Sequence, residues 1–408
     1  MMKDLLPNLL RLGSSFVLAL VLWFLFRWFH LYDWEHAFYK AVFYAFMLTA
    51  IIGLWGIEHT KPLSTWVFKV EFACFAVLVA YLTVSYGSEY LPDVKQAPKV
   101  DHSYFTVVAS KGFWEESRNP YTNPEASPRM LPWSEQEGVR GFSNGPFLLA
   151  GYSLSAPMGG VGLKLSNLIY FVLTGLVVFL ILLESAPPDS RWQTLSGLAF
   201  AAFVLVSSER YWFEILTQGA IDIFPVLLIL VSAYFGMRKN WFLAGLFGGL
   251  SLSAKIIPAA VYLFLFARKD IKMPFVIGVS AGLVPFVAFL VWSPEAFLTN
   301  SIFNHATKGY DSTSLYSLMP EDLHFLFTLA KVTAAGFIFI KNFNRELSIP
   351  SILKDFLVLM IIIEITFTEV HGNHLIWFIP FIAIVFSWFR YDLFGRLKSW
   401  VVGDGPKN

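Results

Sequence analysis

A carboxylate, a tyrosine and an Asn-Pro-Tyr turn lie close together in the first polar stretch that could do chemistry. Asp101 begins an Asp-His-Ser-Tyr sequence that ends at Tyr104, and Asn119 and Tyr121 flank a proline shortly afterwards. A positioned carboxylate can accept the proton of a reacting hydroxyl group, and the turn would place an aromatic surface beside it. Most acids in loops are simply solvated, so the spacing alone leaves both interpretations open.

A second group places charges and an amide before an apolar run. Arg210 precedes Gln218 and Asp222, which are four positions apart and would share one face of a helix. Asp222 suits either the positive end of a helix dipole or the binding of a substrate. Lys255 lies within an apolar stretch, where an ionisable residue is a candidate functional residue. Its partner is either a protein carboxylate, Asp222 or Asp101, or the phosphate of a lipid ligand.

Two groups that contain histidine complete the candidates. His305 and Lys308 lie in one polar stretch, and His371 and His374 precede an aromatic run near the end of the chain. No carboxylate stands at the spacing of a zinc protease site, so we predict no metal centre and no cofactor. The chain also lacks the glycine-rich phosphate loops and the Gly-x-Ser-x-Gly elbow, which argues against nucleotide-dependent chemistry.

The composition decides the class of protein that must position these residues. Of 408 residues, 56% are hydrophobic and 14% are charged, and the net charge is +1. Soluble domains carry roughly 25% charged residues, so a cytosolic enzyme and a disordered chain are excluded. The near-zero net charge excludes a classical nucleic-acid binder. The single cysteine, Cys74, can form neither an internal disulfide nor a zinc site. An all-α polytopic membrane protein remains.

Apolar runs predict about 12 transmembrane helical segments, each needing about 20 apolar residues. Ten runs lie near Leu12–Phe26, Phe38–Gly56, Phe72–Tyr86, Leu163–Leu183, Leu195–Ser207, Ile223–Met237, Pro274–Trp292, Leu323–Ile340, Ile352–Thr368 and Leu375–Phe389. The stretch 241–267 is predicted to be a hairpin of two short helices that meet at Lys255. A hairpin keeps the basic residues before and after it on one side of the membrane, as the positive-inside rule requires.

The distribution of basic residues predicts that both termini are cytoplasmic. Two long polar loops, Ser88–Gly162 and Glu295–Asp322, then lie outside, and the first is long enough to bear short amphipathic helices. All the candidate residues fall on the outer side in this topology. The absence of an Asn-x-Ser/Thr site favours a prokaryotic plasma (inner) membrane over a eukaryotic secretory setting.

Several motifs resemble those of a known superfamily. They are the loop acid Asp101 followed by Asn-Pro-Tyr, the sequence Gln-Gly-Ala-Ile-Asp at 218–222, the Ala-Lys-Ile-Ile-Pro sequence around Lys255, and Asn-His-Leu-Ile-Trp-Phe-Ile-Pro at 373–380. Together they resemble the GT-C superfamily of membrane glycosyltransferases, and most of all its polyprenol-phosphate-mannose-dependent mannosyltransferases. The resemblance covers roughly Phe72 to Arg390. It implies an added pair of helices over 1–71, a catalytic domain over 72–390 and a cytoplasmic tail over 391–408.

The resemblance implies a hexosyltransferase that moves a sugar, with mannose favoured, from a polyprenyl-phosphate carrier to a hydroxyl of a glycan or glycolipid at the outer face. Asp101 would be the catalytic base, with Asp93 or Asp222 as the alternatives, and Lys255 and Arg210 would bind the donor phosphate. The remaining candidates would contact the substrates: Tyr104, Asn119, Tyr121, Gln218, Asp222, His305, Lys308, His371 and His374.

Two other functions are compatible with many apolar helices. A lipid or sugar transporter or flippase would explain charges within the membrane but predicts inverted repeats, which the sequence does not show. An outer-face polysaccharide polymerase or ligase would explain large outer loops, although such loops are expected to be rich in arginine. In each case we predict membrane lipids as surroundings and no nucleic-acid partner.

Overall fold

A computed structural model describes residues 2–31, 64–126, 141–185, 191–303, 319–346, 348–366 and 372–389. Within these ranges every regular element is a helix. The α-helices are α1 Met2–Leu31, α2 Thr65–Tyr90, α3 Asp101–Trp114, α4 Phe147–Gly151, α5 Ser155–Glu184, α6 Arg191–Ser207, α7 Glu209–Trp212, α8 Ile223–Met237, α9 Trp241–Ala254, α10 Ile256–Phe264, α11 Met273–Gly282, α12 Val284–Trp292, α13 Pro294–Leu298, α14 Phe325–Phe343, α15 Ile349–Ile365 and α16 Ile379–Phe389. The predicted all-α class is therefore confirmed.

The structure supports a membrane protein but does not confirm the number of spans. By length and composition, three described segments can cross a membrane singly: Thr65–Lys95, Ser155–Glu184 and Glu321–Phe343. Four further apolar helical segments are 10–17 residues long: Leu12–Arg27 within α1, Ile223–Met237, Trp241–Ala254 and His374–Trp388. The predicted run Phe38–Gly56 lies outside the described residues. The count of about 12 segments stays a prediction.

The stretch around Lys255 is a hairpin, as predicted. Lys255 has an extended backbone between α9 and α10. The Tyr262 and Ser232 hydroxyl groups lie 3.1 Å apart, and the Ser232 hydroxyl donates to the Ala244 carbonyl at 2.6 Å. A continuous helix would separate residues 244 and 262 by roughly 27 Å. Since they share a partner instead, α10 must fold back along α9.

The predicted apolar run Pro274–Trp292 is divided in the structure into α11 and α12, which are bent by 42°. Pro285 lies in the first turn of α12. Proline lacks the N–H that would continue the hydrogen bonds of α11, and its ring crowds the preceding turn. Together the two helices are long and apolar enough to form one broken membrane span.

Glycines on α9 and α11 let these two helices approach almost backbone to backbone. A Cβ atom at Gly245 would lie 2.0 Å from the Phe275 carbonyl oxygen, and one at Gly249 would lie 2.4 Å from that of Val279. On α11, a Cβ atom at Gly282 would lie 2.4 Å from the Leu246 carbonyl oxygen. Small residues spaced in this way are typical of closely packed helices in membranes. The packing fixes the first half of the hairpin, and therefore the position of Lys255.

The N-terminal helix α1 is attached to the rest of the fold at its middle and near its C-terminal end. The carboxyl group of Glu71, on α2, is fully buried and accepts hydrogen bonds from Ser15 on α1 and Ser196 on α6. Near the C-terminal end of α1, the Arg27 guanidinium pairs with the Glu209 carboxylate on α7. The division of the chain at residue 71 stays a prediction.

The long loop after α2 carries short helices, as the sequence predicts. A 3₁₀ turn, Leu91–Lys95, leads into α3, and α4 follows later in the loop. Helix α3 buries Phe105 and Ala109 and leaves Tyr104 exposed. The loop therefore packs on the helical body and places the start of α3 against the turn that follows α7.

Candidate active site

Asp101 is the first residue of α3, and the structure fixes this helix end against the turn at Gln218. The backbone N–H groups of Lys99 and Val100 donate to the Gln218 carbonyl at 3.1 and 3.4 Å, and the Ser103 hydroxyl donates to the Gly219 carbonyl at 2.7 Å. The Asp101 carboxylate accepts the N–H of the following residue at 2.6 Å and is partly exposed. A partly exposed carboxylate on an anchored backbone is suited to receive a proton from a substrate.

A buried lysine that the sequence analysis passed over supports the same region. The Lys164 ammonium, on α5, donates to the Asp93 carbonyl at 2.9 Å, and the Asp93 carboxylate accepts the Thr217 hydroxyl at 2.6 Å. Lys164 is fully buried. The sequence did contain a signal for it, because Lys164 is an ionisable residue at the edge of a predicted span.

Gln218 and Asp222 do not lie on one helix, so the condition under which their spacing would give them a shared face is not met. Gln218 ends a π-helical segment, Phe213–Gln218, whereas Asp222 immediately precedes α8. Between them, Gly219 has a φ of 81°, which a residue with a side chain rarely adopts. The turn lets one short segment contact the start of α3 at its first end and Lys255 at its other end.

Asp222 is buried and binds Lys255 and Trp377. Its Oδ1 accepts a hydrogen bond from the Lys255 ammonium and another from the Trp377 indole N–H at 2.7 Å. Its side chain makes no capping hydrogen bond to α8. Burial by itself would raise the pKa of the Asp222 carboxyl, but the Lys255 ammonium and the Trp377 N–H hold that pKa below its usual value.

Lys255 is held at the tip of the hairpin and keeps some access to its surroundings. Its side chain is 18% exposed, compared with 1% for Asp222. Its ammonium nitrogen lies 5.2 Å from the centre of the Trp377 ring, within the range of a cation–π interaction. The neighbouring Ala254 carbonyl accepts the Gly145 N–H at 3.1 Å, so the hairpin tip is covered by the long loop.

His374 lies behind Trp377 and extends the same network. The two rings stack with centroids 4.2 Å apart and an angle of 19° between their planes. The His374 Nδ1 atom lies 2.8 Å from Oε1 of Glu364, a fully buried residue of α15. The sequence analysis placed His374 among the candidates but missed Glu364 and the contacts of Trp377.

Arg210 lies near the site in sequence but has its own partners. Its guanidinium pairs with the buried Glu214 carboxylate at 2.6 Å and lies over the Phe213 ring at 4.9 Å. Among the described residues, the contacts of Arg210 give no link to Lys255. Its predicted role in phosphate binding stays a prediction.

The candidates from the first polar stretch divide between surface and core. Tyr104 is exposed, whereas Tyr121 is buried and donates its hydroxyl to the Asn144 carbonyl at 2.7 Å. Burial raises the pKa of the Tyr121 hydroxyl well above its usual value. The Asn119 amide donates to the Ser293 hydroxyl at 2.8 Å and accepts the Tyr121 N–H. Asn119 and Tyr121 thus tie the loop to α12 and α13.

His305, Lys308 and His371 lie outside the described residues, so their predicted roles stay predictions. Among the residues that the structure does describe, no three His, Cys, Asp or Glu side chains are grouped as they would be around a metal ion.

Comparison with known proteins gives a family match and one structural similarity. Residues 142–343 match glycosyltransferase family 87. A search of curated sequences found no significant match. The fold is similar to the crystal structure of ArnT from Cupriavidus metallidurans in the apo state, with 14% identity and a TM-score of 0.46 over 81% of this chain. The chain spans 62% of the length of that ArnT chain.

The matched region contains the turn 218–222, the hairpin and Lys255, whereas Asp101 and Trp377 lie before and after it. The family match covers just under half of the chain, lies within an all-helical fold with several apolar helices, and agrees with the resemblance to membrane glycosyltransferases of the GT-C superfamily.

Proposed function

We propose that the protein transfers a hexose, with mannose favoured, from a polyprenyl-phosphate carrier to a hydroxyl of a glycan or glycolipid. The observation that carries the proposal is the arrangement of the segment 218–222. One end of this segment contacts the start of α3, where Asp101 lies, and the other end holds Lys255 through Asp222. Four residues span at most about 14 Å, a length comparable to that of a sugar phosphate.

Asp101 is the base in this proposal. The acceptor oxygen forms a bond to the anomeric carbon of the sugar, and its proton passes to the Asp101 carboxylate. The bond between the anomeric carbon and the phosphate oxygen breaks, and the electron pair leaves with the polyprenyl phosphate. The partial exposure of Asp101 supports this assignment, because an acceptor must reach the carboxylate from outside the protein.

Lys255 binds the phosphate of the donor and of the leaving lipid. A lysine ammonium has three N–H donors, and the described contacts engage one of them, with Asp222. The greater exposure of Lys255 leaves the lysine side of the pair open to an anion. Positive charge placed at the developing phosphate stabilises the transition state.

We further propose that the site faces outward from a prokaryotic plasma (inner) membrane and that both termini are cytoplasmic. The basic residues at the base of the hairpin support this orientation. Arg238 and Lys239 precede α9, and Arg268 and Lys269 follow α10. Because the hairpin returns to its starting side, these charges lie at one end, as expected for a cytoplasmic face.

The test uses purified protein in detergent, a radiolabelled polyprenyl-phosphate mannose and a membrane-lipid extract as the acceptor. We expect wild type to move label from the carrier into a new product, and Asp101→Asn to lower the rate by a factor of about 10² to 10⁴. Asp93→Asn, at one of the alternative bases, is measured beside it, and we expect a smaller loss because the Asp93 carboxylate already accepts the Thr217 hydroxyl.

Release of label that depends on the acceptor and is lost in Asp101→Asn supports the proposal. A normal rate in Asp101→Asn would move the role of base to Asp93 or Asp222. If several hexose carriers released no sugar with wild type, a flipping assay in liposomes would test transport, and elongation of a lipid-linked oligosaccharide would test polymerisation.

A further inference from the structure

Trp377 and Lys255 share one oxygen atom of a buried carboxylate. The Trp377 indole N–H donates to Asp222 Oδ1 at 2.7 Å, and the Lys255 ammonium donates to the same atom. The face of the same indole lies 5.2 Å from the ammonium nitrogen. Trp377 therefore contacts both members of the ion pair, one by its polar edge and the other by its aromatic face.

The position of Trp377 is itself closely fixed. The side chain is 2% exposed and lies in the 3₁₀ turn Gly372–Trp377, directly before α16. The His374 ring stacks on it, and Glu364 holds that ring through a 2.8 Å contact at Nδ1. The indole ring is thus held by a neighbour in its own turn, His374, and that neighbour is held by Glu364 on α15.

We propose that Trp377 is a positioning residue that keeps the Lys255 ammonium available to a phosphate. When the indole N–H occupies Asp222 Oδ1, the carboxylate has less electron density to offer the ammonium, so the ion pair is weakened. The aromatic face meanwhile attracts the ammonium without a competing anion. Lys255 stays near Asp222 but can exchange this partner for the donor phosphate.

The identification of the anion as the donor phosphate rests on the proposed function. A buried lysine–carboxylate pair without such a competitor would be a poor anion site, because a phosphate would have to displace a fully formed ion pair in a medium of low polarity. The sharing of Asp222 Oδ1 reduces that cost. Glu364 and His374 act through Trp377 in this arrangement.

Trp377→Phe tests the role of the N–H, since phenylalanine keeps an aromatic face and removes the donor. We expect the KM for the polyprenyl-phosphate sugar to rise about fivefold, the change expected for one hydrogen bond of about 1 kcal/mol. We expect kcat to stay within about twofold of the wild-type value. Once the donor phosphate is bound, it contacts the Lys255 ammonium in the variant as it does in wild type.

Trp388→Phe is the matched control. Trp388 lies near the end of α16, the helix that follows the turn carrying Trp377. In the described part of the chain its indole N–H has no hydrogen-bond partner. We expect its replacement to leave the KM for the donor unchanged. An unchanged KM in Trp377→Phe, or a fall in kcat alone, would overturn the proposal.

A second measurement does not depend on turnover. The 14 tryptophans can be replaced by 5-fluorotryptophan, and the ¹⁹F signal of residue 377 is the one lost in Trp377→Phe. We expect this signal to shift in Lys255→Met and, in wild type, on addition of a polyprenyl monophosphate but not of the corresponding prenyl alcohol.

The two measurements separate the two proposals. A signal that responds to Lys255→Met and to the phosphate, in a protein that transfers no sugar, would support the role of Trp377 and contradict the proposed reaction. A signal that shifts neither in Lys255→Met nor on addition of the phosphate would overturn the role of Trp377 even in an active transferase.

Discussion

At the scale of single residues, the site depends on how the positive charge of Lys255 is stabilised inside an apolar protein. Lys255 lies between two short helices, and its ammonium is met by the Asp222 carboxylate and the Trp377 ring. The sequence analysis predicted Asp222 as one of the candidate partners of Lys255. It could not indicate Trp377, because the contact between Asp222 and Trp377 joins residues 155 positions apart.

Replacing Lys255 should therefore weaken donor binding and also lower the stability of the fold, and the two effects can be measured separately. We expect Lys255→Ala to weaken donor binding and to destabilise the protein by about 3–5 kcal/mol, because it leaves the Asp222 carboxylate buried and unpaired. Lys255→Arg should keep part of the affinity. Titration with a polyprenyl monophosphate measures binding, and thermal unfolding in detergent measures stability.

The double variant Lys255→Met, Asp222→Asn is the control for folding, since it removes both charges together. We expect it to recover most of the lost stability and none of the donor affinity. Recovery of affinity in the double variant would show that Lys255 has only a structural role.

At the scale of elements, the hairpin was predictable, whereas its packing was not. The charges at the two ends of 241–267 and the cost of a lysine at the centre of a membrane favoured two short helices, and the structure confirms them. The sequence analysis did not identify the approach of α9 to α11, although glycines at 245, 249, 278 and 282 make it possible. Spacing shows that a helix has a small-residue face, but not which helix it meets.

A methyl group added at Gly249 should disturb this contact. We expect Gly249→Ala to lower the free energy of unfolding by about 1–3 kcal/mol, since its Cβ would lie 2.4 Å from the Val279 carbonyl oxygen. Gly336→Ala, on α14, is the control, because a Cβ there has no described neighbour within 4 Å. Thermal unfolding compares the two, and equal stability of both variants would contradict the close packing.

The N-terminal helix should matter for the site although it looks like an addition in the sequence. Arg27 pairs with Glu209, and the Tyr90 hydroxyl donates to the same carboxylate at 3.1 Å, directly before the turn that leads to Asp101. We expect Arg27→Glu to lower transfer activity because it places two carboxylates together.

Exchanging the two charges provides the check on that pair. We expect Arg27→Glu combined with Glu209→Arg to recover part of the activity that Arg27→Glu loses. A double variant that is less active than both single variants would argue against the ion pair as the reason for the effect.

At the scale of the whole molecule, the proposed function depends on which side of the membrane the site faces. The exposed Thr122 lies in the long loop after α2, and the exposed Lys269 lies at the base of the hairpin. The positive-inside rule places them on opposite sides. The only cysteine, Cys74, can be replaced by serine, which gives a background for site-directed labelling.

In that background we expect Thr122→Cys to react with a membrane-impermeant maleimide in spheroplasts. Lys269→Cys should react only after the membrane is permeabilised. The opposite pattern would place the candidate site on the cytoplasmic side and contradict transfer at the outer face.

The sequence by itself determined the class of protein and the positions of most helices, because apolar length and charge asymmetry are properties of the chain. It also indicated Asp101, Asp222, Lys255 and His374 as candidates, since ionisable groups near apolar runs are costly. Tertiary structure decided which of them meet. Gly219 reverses the backbone between Gln218 and Asp222, and Trp377, Glu364 and Lys164 join the site from distant helices. Contacts of this kind depend on how the helices pack against one another, and the spacing of residues along the chain does not determine that packing.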